Sequence, residues 1–234
     1  MTHIVAIAVV PALLLIFYIY SLDKIEKEPT KLLVKLFFLG GLTTVSAMIL
    51  ELLGDALLKS AEGVIPTALY LAIDNFLIVA LVEEGGKHFV MKHMTWKNEA
   101  FNYRFDGVVY GATASLGFAA FENILYVLNY GDSLAPTRAV TAIPLHCIAG
   151  VFMGHYYGQA KYMKDSGNEK KASYYMTLSL IVPILIHGLY DFLITSSQNP
   201  DGEMYGLVFL VYIIGLDIVA FCKVRRYSKE DTAV

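Results

Sequence analysis

The chain has 234 residues, of which 56% are hydrophobic and 17% charged, and its mean hydropathy is +0.55. An ordinary soluble domain is about 45 to 50% apolar and about 25% charged, so this composition excludes a disordered chain and predicts contact with lipid. The formal net charge of −3 gives no basic excess for a phosphate backbone, which excludes a nucleic-acid partner.

Seven apolar stretches have the length of about 17 to 25 residues that a membrane-spanning helix needs. In chain order they are Ile4 to Tyr20, Leu32 to Leu53, Thr67 to about His88, Gly107 to Tyr130, Arg138 to Ala160, Tyr174 to Thr195, and Tyr205 to Cys222. The first stretch lacks the basic start and cleavage pattern of a signal peptide, so we expect it to remain as a span. The sequence therefore predicts an all-α, polytopic transmembrane helical bundle of about seven spans, with residues 1–234 as one integral membrane domain in the lipid bilayer of a cell membrane.

The basic residues predict the orientation of this bundle. Of the 18 Lys and Arg residues, only Lys59 and Arg138 fall on one side of the predicted membrane, and the remaining 16 fall on the other. Cytoplasmic connections retain positive charge. We therefore expect the N-terminus outside and the C-terminus in the cytoplasm.

Ionisable side chains inside spans cost about 2.5 to 3.5 kcal/mol each on insertion scales, and they usually face the bundle interior or a watery cavity. Asp74 and Asp217 have no spaced partner, and we interpret them as packing or water-contact residues. The other candidates lie on the third to sixth spans: Glu83, Glu84, Lys87, His88, Glu122, Arg138, His146, His155, His187 and Asp191.

Helical geometry at about 100° per residue sorts these candidates by face. His146 is in step with a stripe of small residues at Gly150, Gly154 and Gly158, which lets helices approach closely, so we expect His146 to point inward. Glu122 returns to the small-residue face of the fourth span. His187 and Asp191 are one turn apart, so Asp191 could accept the imidazole N–H. His155 lies on the opposite side of its helix from His146.

The third span carries two overlapping pairs with one-turn spacing. Glu83 can pair with Lys87, and Glu84 can pair with His88, so we expect one glutamate to bind the lysine while the other stays free. Counted from Pro66 at about 1.5 Å per residue, Glu84 would lie about 27 Å deep, against about 12 Å for Glu122, His146 and His187. If this difference holds, Glu122 is the better candidate for a catalytic base.

Each of these residues also has a purely structural interpretation. The glutamates could be neutralised by Lys87, the histidines could join helices by hydrogen bonds, and Arg138 could be either an interfacial anchor or a carboxylate partner. Three functional classes stay open at this point: a membrane enzyme, an ion-coupled transporter that uses buried Glu and His as a proton relay, and a non-catalytic sensor or scaffold.

The order of motifs resembles the PrsW family of intramembrane proteases, which is distantly related to the CAAX-type prenyl-protein endoproteases. Asp23 to Pro29 is similar to the acidic Glu-Lys-Glu-Pro segment of that family, and Glu83-Glu84-Gly-Gly-Lys87 is similar to its Glu-Glu-x-x-Lys motif. The stretch from Phe121 to Tyr126 is similar to its Phe-Glu-x-x-x-Tyr motif, and the downstream histidine motifs correspond to Arg138 with His146 and to His187 with Asp191.

The resemblance implies a membrane-embedded endopeptidase of a bacterial plasma membrane. Its substrate would be a membrane-anchored protein, typically a single-pass anti-sigma factor, cut on the extracytoplasmic side (site-1 cleavage) as the first step of a signalling cascade. The prenyl-protease relatives carry a histidine where this chain has Tyr126, so in this chain His146 or Glu122 would have to take that role.

Two mechanisms follow from the resemblance, and both use Glu83 or Glu84 as the base. In the first, His146, His187 and Glu122 bind zinc and leave one open position. In the second, a glutamate polarises water without a metal and the histidines stabilise the oxyanion. The expected supporting residues are Lys87, Asp191, Arg138 and Tyr126.

Overall fold

The computed structural model describes residues 2–131, 133 and 135–234. The helices in chain order are α1 Thr2–Leu22, α2 Thr30–Leu58, α3 Thr67–Ile73, α4 Leu81–Thr95, α5 Arg104–Tyr130, α6 Ala135–Val140, α7 Ala142–Asp165, α8 Glu169–Ser197 and α9 Glu203–Lys229. A short 3₁₀ turn, Lys59–Ala61, follows α2, and a π-helical segment, Asp74–Ala80, joins α3 to α4.

Within the described residues these helices form seven rods, because α3, the π segment and α4 are continuous and α6 leads directly into α7. The prediction of a polytopic helical bundle is confirmed. By length and composition, five of the rods can cross a membrane, and the apolar part of α1, Ala6–Leu22, is shorter. Most helices extend past the predicted apolar stretches, because helical structure continues into the polar residues at both ends of a span.

α5 is the central helix, and it is buried along most of its length. Its glycines meet those of α7 at backbone contact, since a Cβ on Gly107 would lie 2.5 Å from the carbonyl oxygen of Gly154, and one on Gly150 would lie 2.6 Å from that of Gly111. The predicted stripe of small residues on the fifth span is therefore an interhelical contact. This contact fixes the height and rotation of His146 relative to α5.

The π segment interrupts the third rod just before Glu83. Asn75, in the first turn of this segment, donates from Nδ2 to the carbonyl oxygen of Leu71 at 2.7 Å and to Oγ1 of Thr195 on α8 at 3.0 Å. The sequence prediction treated Thr67 to His88 as one regular helix. No Gly or Pro in the segment signals the change, and the side-chain bond to α8 accompanies it. Segments of this kind are frequent at functional sites.

The predicted fifth span, Arg138 to Ala160, is not one helix. α6 ends at Val140, Thr141 has φ −122° and ψ −69°, and α7 begins at Ala142. Pro144 explains the break, because it has no N–H to donate to the carbonyl of Val140 and its ring would clash with that carbonyl. Arg138 therefore lies on a separate short helix and can turn toward α5.

Three segments meet at the end of the bundle that the charge distribution assigns to the cytoplasm: the α1–α2 connection, the loop between α4 and α5, and the C-terminal residues. The backbone N–H of Arg104 donates to the carbonyl of Thr232 at 3.0 Å, and that of Val234 donates to the carbonyl of Asn102 at 2.9 Å. Burial raises the pKa of Asp23 in this region to about 6. The orientation itself stays a prediction.

The glycine contact between α5 and α7 predicts an asymmetric response to alanine. In Gly154→Ala the new Cβ would lie 2.6 Å from the Cα of Val108, so we expect a loss of about 1 to 3 kcal/mol through overpacking. The matched change Gly215→Ala on α9 meets nothing within 4 Å and should be neutral or gain up to about 1 kcal/mol from helix propensity. Unfolding of the purified proteins in detergent measures both, and equal stability of the two variants would contradict the predicted contact.

Candidate active site

Four buried side chains from three rods form what we call the central cluster: Glu83, Glu84, His146 and His187. One donor atom of each lies within 4.8 Å of those of the other three. α4 supplies the two glutamates, and α7 and α8 supply one histidine each. The structure thus brings together carboxylates and imidazoles that the sequence singled out on separate spans.

The ammonium of Lys87 lies among these groups. Its Nζ donates to Oε2 of Glu83 at 3.0 Å and to Oε1 of Glu84 at 2.7 Å, and it lies 3.0 Å from Nδ1 of His146. The side chain is fully buried, 4.0 Å from the centroid of the Phe118 ring. The expectation that one glutamate stays free is wrong, because side chains three and four residues away both reach this ammonium, which has three hydrogens to donate.

The two histidines turn the same ring nitrogen toward the central cluster. An ammonium only donates, so Nδ1 of His146 accepts and its proton sits on Nε2, which lies 3.1 Å from Oε2 of Glu122. Nδ1 of His187 lies 2.8 Å from Oε1 of Glu84, and its Nε2 lies 3.0 Å from Oδ2 of Asp191. Each ring therefore presents Nδ1 to the central cluster and Nε2 to a carboxylate outside it. His187 and Asp191 are in contact as predicted, but Oδ2 of Asp191 has no hydrogen-bond partner among the described residues, so the expected N–H hydrogen bond is not aligned.

Glu122 is held on its outer side by Arg138. Nη2 of Arg138 donates to Oε2 of Glu122 at 2.5 Å, and its Nε donates to Oδ1 of Asn123 at 3.0 Å. The guanidinium lies 3.7 Å from the centroid of the Tyr126 ring. Of the two interpretations of Arg138, the carboxylate partner is the one observed. Glu122 lies behind His146 and outside the central cluster, and its role as a metal ligand stays a prediction.

A cavity of about 390 Å³ opens beside the central cluster. Glu83, His146 and His187 line it, and so do Glu122 and Arg138. Glu84 and Lys87 are fully buried and do not contribute to the lining. Of the adjacent glutamates, Glu83 is therefore the one that can meet a water molecule or a substrate in the cavity.

The predicted depth difference between Glu84 and the histidines is wrong. The 2.8 Å contact between Glu84 and His187 puts these groups at the same level. Counting from helix ends assumes that all ends are level and that every helix rises as a regular α-helix. The third rod contains the seven-residue π segment, which rises less than a regular helix. Seven residues at about 1.5 Å each cannot account for a difference of about 15 Å, so the helix ends also lie at different levels. The condition under which Glu122 would be the better base is therefore not met.

The remaining histidines of the spans are engaged elsewhere. Nε2 of His88 lies 2.8 Å from Oγ of Ser179, so His88 does not join the central cluster. The His155 ring stacks on Tyr227 with 3.6 Å between centroids, which agrees with its predicted position away from His146.

Two cavity residues, Glu51 and Asn75, were not singled out from the sequence. Glu51 falls near the end of the predicted second span, but α2 continues to Leu58 and carries it into the cavity wall. Asp74, interpreted from the sequence as a packing or water-contact residue, and Asn75 also line the cavity. The available signal was the acidic pair Glu51 and Asp55, one turn apart in an apolar helix.

The central cluster has donors of the type and spacing that suit a divalent metal ion, which would have to displace the Lys87 ammonium from Nδ1 of His146 and Oε1 of Glu84. Imidazole and carboxylate are common ligands of catalytic zinc, and metal-binding histidines typically donate their other N–H to a carboxylate. Oε2 of Glu84 is buried and has no hydrogen-bond partner among the described residues, which leaves one oxygen free for a cation.

Comparison with known proteins agrees with this chemistry. Residues 28–216 match the sequence model of a family described as PrsW family intramembrane metalloprotease. The relatives named Protease PrsW include one from Bacillus subtilis (strain 168), 33% identical over 91% of each chain, and one from Oceanobacillus iheyensis, 32% identical over 100% of each. A third, from Halalkalibacterium halodurans, is 34% identical over 99% of this chain and 100% of its own. No solved structure matches the chain.

The family match covers most of the chain, and the relatives align over nearly their full length. The transporter and scaffold alternatives find no support in these comparisons. The chain therefore belongs to the PrsW family of intramembrane metalloproteases and is a multi-pass, membrane-embedded peptidase.

Proposed function

We propose that the protein hydrolyses a peptide bond in a membrane-anchored protein, with Glu83 as the base that activates water. The observation that carries this proposal is the position of Glu83, which belongs to the central cluster and also lines the cavity. General-base catalysis requires a carboxylate within hydrogen-bond reach of the water. Glu84, sealed beneath the cavity wall, cannot meet that requirement without rearrangement.

Ion pairs around Glu83 balance the negative charge of its carboxylate. Glu84 and Lys87 form a buried ion pair at 2.7 Å, and the same ammonium binds Glu83 at 3.0 Å. This arrangement fixes the Glu83 carboxylate toward the cavity. We assign Lys87 as a positioning residue, since it does not line the space in which a substrate would lie.

The reaction proceeds by addition and elimination. Glu83 takes a proton from water as the water oxygen bonds to the scissile carbonyl carbon, and the carbonyl π electrons move to its oxygen. The protonated Glu83 then gives this proton to the departing nitrogen as the C–N bond breaks. Arg138, at the same cavity, is the cation that can approach the substrate carbonyl.

His146, His187 and Glu84 are the residues that we assign to a metal, with Glu122 and Asp191 orienting the two imidazoles. Two histidines and one glutamate leave an open coordination position, which is a usual count for catalytic zinc. A divalent metal bound there would polarise the water and the carbonyl. This assignment replaces Glu122 with Glu84 as the third ligand, because Glu84 belongs to the central cluster and has a free oxygen.

The proposed substrate is a single-pass protein of the anti-sigma-factor type, cut on its extracytoplasmic side. His187 lies ten residues before the end of α8 at Ser197, which is about 15 Å along the helix. With the predicted orientation, that end faces outward. A peptide bond at this depth would belong to the outer part of a transmembrane segment.

Replacement of Glu83 tests the proposed base. Glu83→Gln keeps the size and an oxygen acceptor for Lys87 but cannot take a proton, so we expect cleavage to slow by about 10² to 10⁴-fold. The measurement is cleavage of a single-pass anti-sigma-type protein reconstituted with the enzyme in liposomes. Glu62→Gln, at an exposed position, is the control and should cleave at the unmodified rate. Unchanged cleavage by Glu83→Gln would remove the proposed base.

Metal content tests the proposed ligands. We expect the purified protein to carry about one equivalent of divalent metal, and Glu84→Gln and His187→Ala to lose it, because each removes one of three ligands. Glu122→Gln should keep the metal, since an amide oxygen can still accept from His146, with activity reduced about 10 to 100-fold. Elemental analysis and cleavage before and after chelation give both readouts. Full activity in a metal-free preparation would refute the metal assignment, and loss of metal in Glu122→Gln with retention in Glu84→Gln would return Glu122 to the ligand set.

A further inference from the structure

A second buried group of carboxylates lies away from the cavity, at the end of the bundle predicted to face the cytoplasm. It consists of Asp23 from the α1–α2 connection, Glu28 just before α2, and Asp106 in the first turn of α5. One oxygen of each lies within 4.8 Å of those of the other two, and the three residues are at most 3% exposed. We call this group the carboxylate triad.

The oxygens of the carboxylate triad are not satisfied by the surrounding protein. Asp23 is 1% exposed, and neither of its carboxylate oxygens has a hydrogen-bond partner among the described residues. Oδ1 of Asp106 is in the same condition, and so is Oδ1 of Asn102 in the preceding loop. All four atoms are acceptors. A buried acceptor without a donor costs about 1 to 3 kcal/mol, and more when it is charged.

Few nearby donors reach the triad, and Nε of Arg104, a buried donor without a partner among the described residues, does not bond to it. Lys27 directs its ammonium to the backbone carbonyls of Tyr20 and Asp23, not to the triad carboxylates. Oε2 of Glu28 accepts from the Tyr110 hydroxyl. Oδ2 of Asp106 accepts from the backbone N–H groups of Asn102 and Tyr103, just before α5, at 3.0 and 2.7 Å.

Charges of both signs surround the triad. Lys27 acts on Asp23 electrostatically more strongly than the acids Asp231 and Glu26 do. Three buried carboxylates with additional acids beside them are repulsive unless a positive charge joins them. The geometry therefore calls for a cation that no described side chain supplies to the free oxygens.

We propose that the carboxylate triad binds a hard divalent cation, Mg²⁺ or Ca²⁺. The triad offers only oxygen ligands, which these ions prefer, and it lacks the nitrogen or sulfur donors typical of zinc. The cation joins the α1–α2 connection to the start of α5, where the C-terminal residues also pack. Its role is structural, it uses none of the residues assigned to catalysis, and it does not rest on the proposed peptidase mechanism.

Thermal unfolding of the full-length protein in detergent, after chelation and with MgCl₂ or CaCl₂ titrated back, tests this site. We expect the Tm of the unmodified protein to rise and saturate with one of the two ions. Asp23→Asn removes one charge without removing a hydrogen bond, and it should raise the apparent Kd at least about tenfold. Glu26→Gln, at the neighbouring exposed acid, and Glu84→Gln, in the central cluster, should keep the rise.

Direct binding provides a second measurement that does not depend on stability. Mn²⁺ binding followed by electron paramagnetic resonance should show a site that Mg²⁺ or Ca²⁺ displaces and that Asp23→Asn and Glu28→Gln weaken. An equal Tm rise in Asp23→Asn and the unmodified protein would overturn the proposal. So would a stabilisation by Asp23→Asn that is the same with and without cation, since the carboxyls would then be held by shared protons.

Discussion

The structure depends on the neutralisation of charge inside the bundle. Two adjacent glutamates at membrane depth are stable only if a cation shares their site, and Lys87 supplies that cation from the next turn of the same helix. The pairing keeps two carboxylates in a buried position where burial alone would favour their neutral forms. Within a motif of five consecutive residues, one carboxylate, Glu83, lines the cavity and the other, Glu84, is sealed from it.

Rigid packing delivers the histidines to this site. The glycine contact between α5 and α7 allows backbone approach at Gly107 and Gly111, and so fixes His146. Hydrogen bonds to Glu122 and Glu84 then fix the rotation of the His146 and His187 rings, respectively. The site is built on long helices and not on loops, which suits a reaction that tolerates little displacement of its groups.

Much of this arrangement could be predicted from the sequence. Spacing identified the inward face of His146, and the cost of burying charge singled out Glu83 and Glu84. Proline has no N–H, so Pro144 also signals the helix break before it. The prediction of one continuous span missed this break because the apolar pattern continues across it. The relative depths of side chains on different helices could not be predicted, because they depend on where each helix lies along the bundle axis. For the same reason, the sequence could not decide whether Arg138 pairs with Glu122.

The π segment before Glu83 determines the direction in which the side chains of α4 point. A π turn holds more residues than an α turn, so it shifts the phase of everything downstream in the same rod. If the same seven residues closed into a regular α-helix, the surplus residue of the π turn would pass to α4, which would rotate by about 100° and carry both glutamates away from the histidines. The residues of Asp74–Ala80 thus set the angular register of the central cluster, whose groups they do not themselves supply. A substitution there that restored a regular α-helix would disconnect the site without altering any of its side chains.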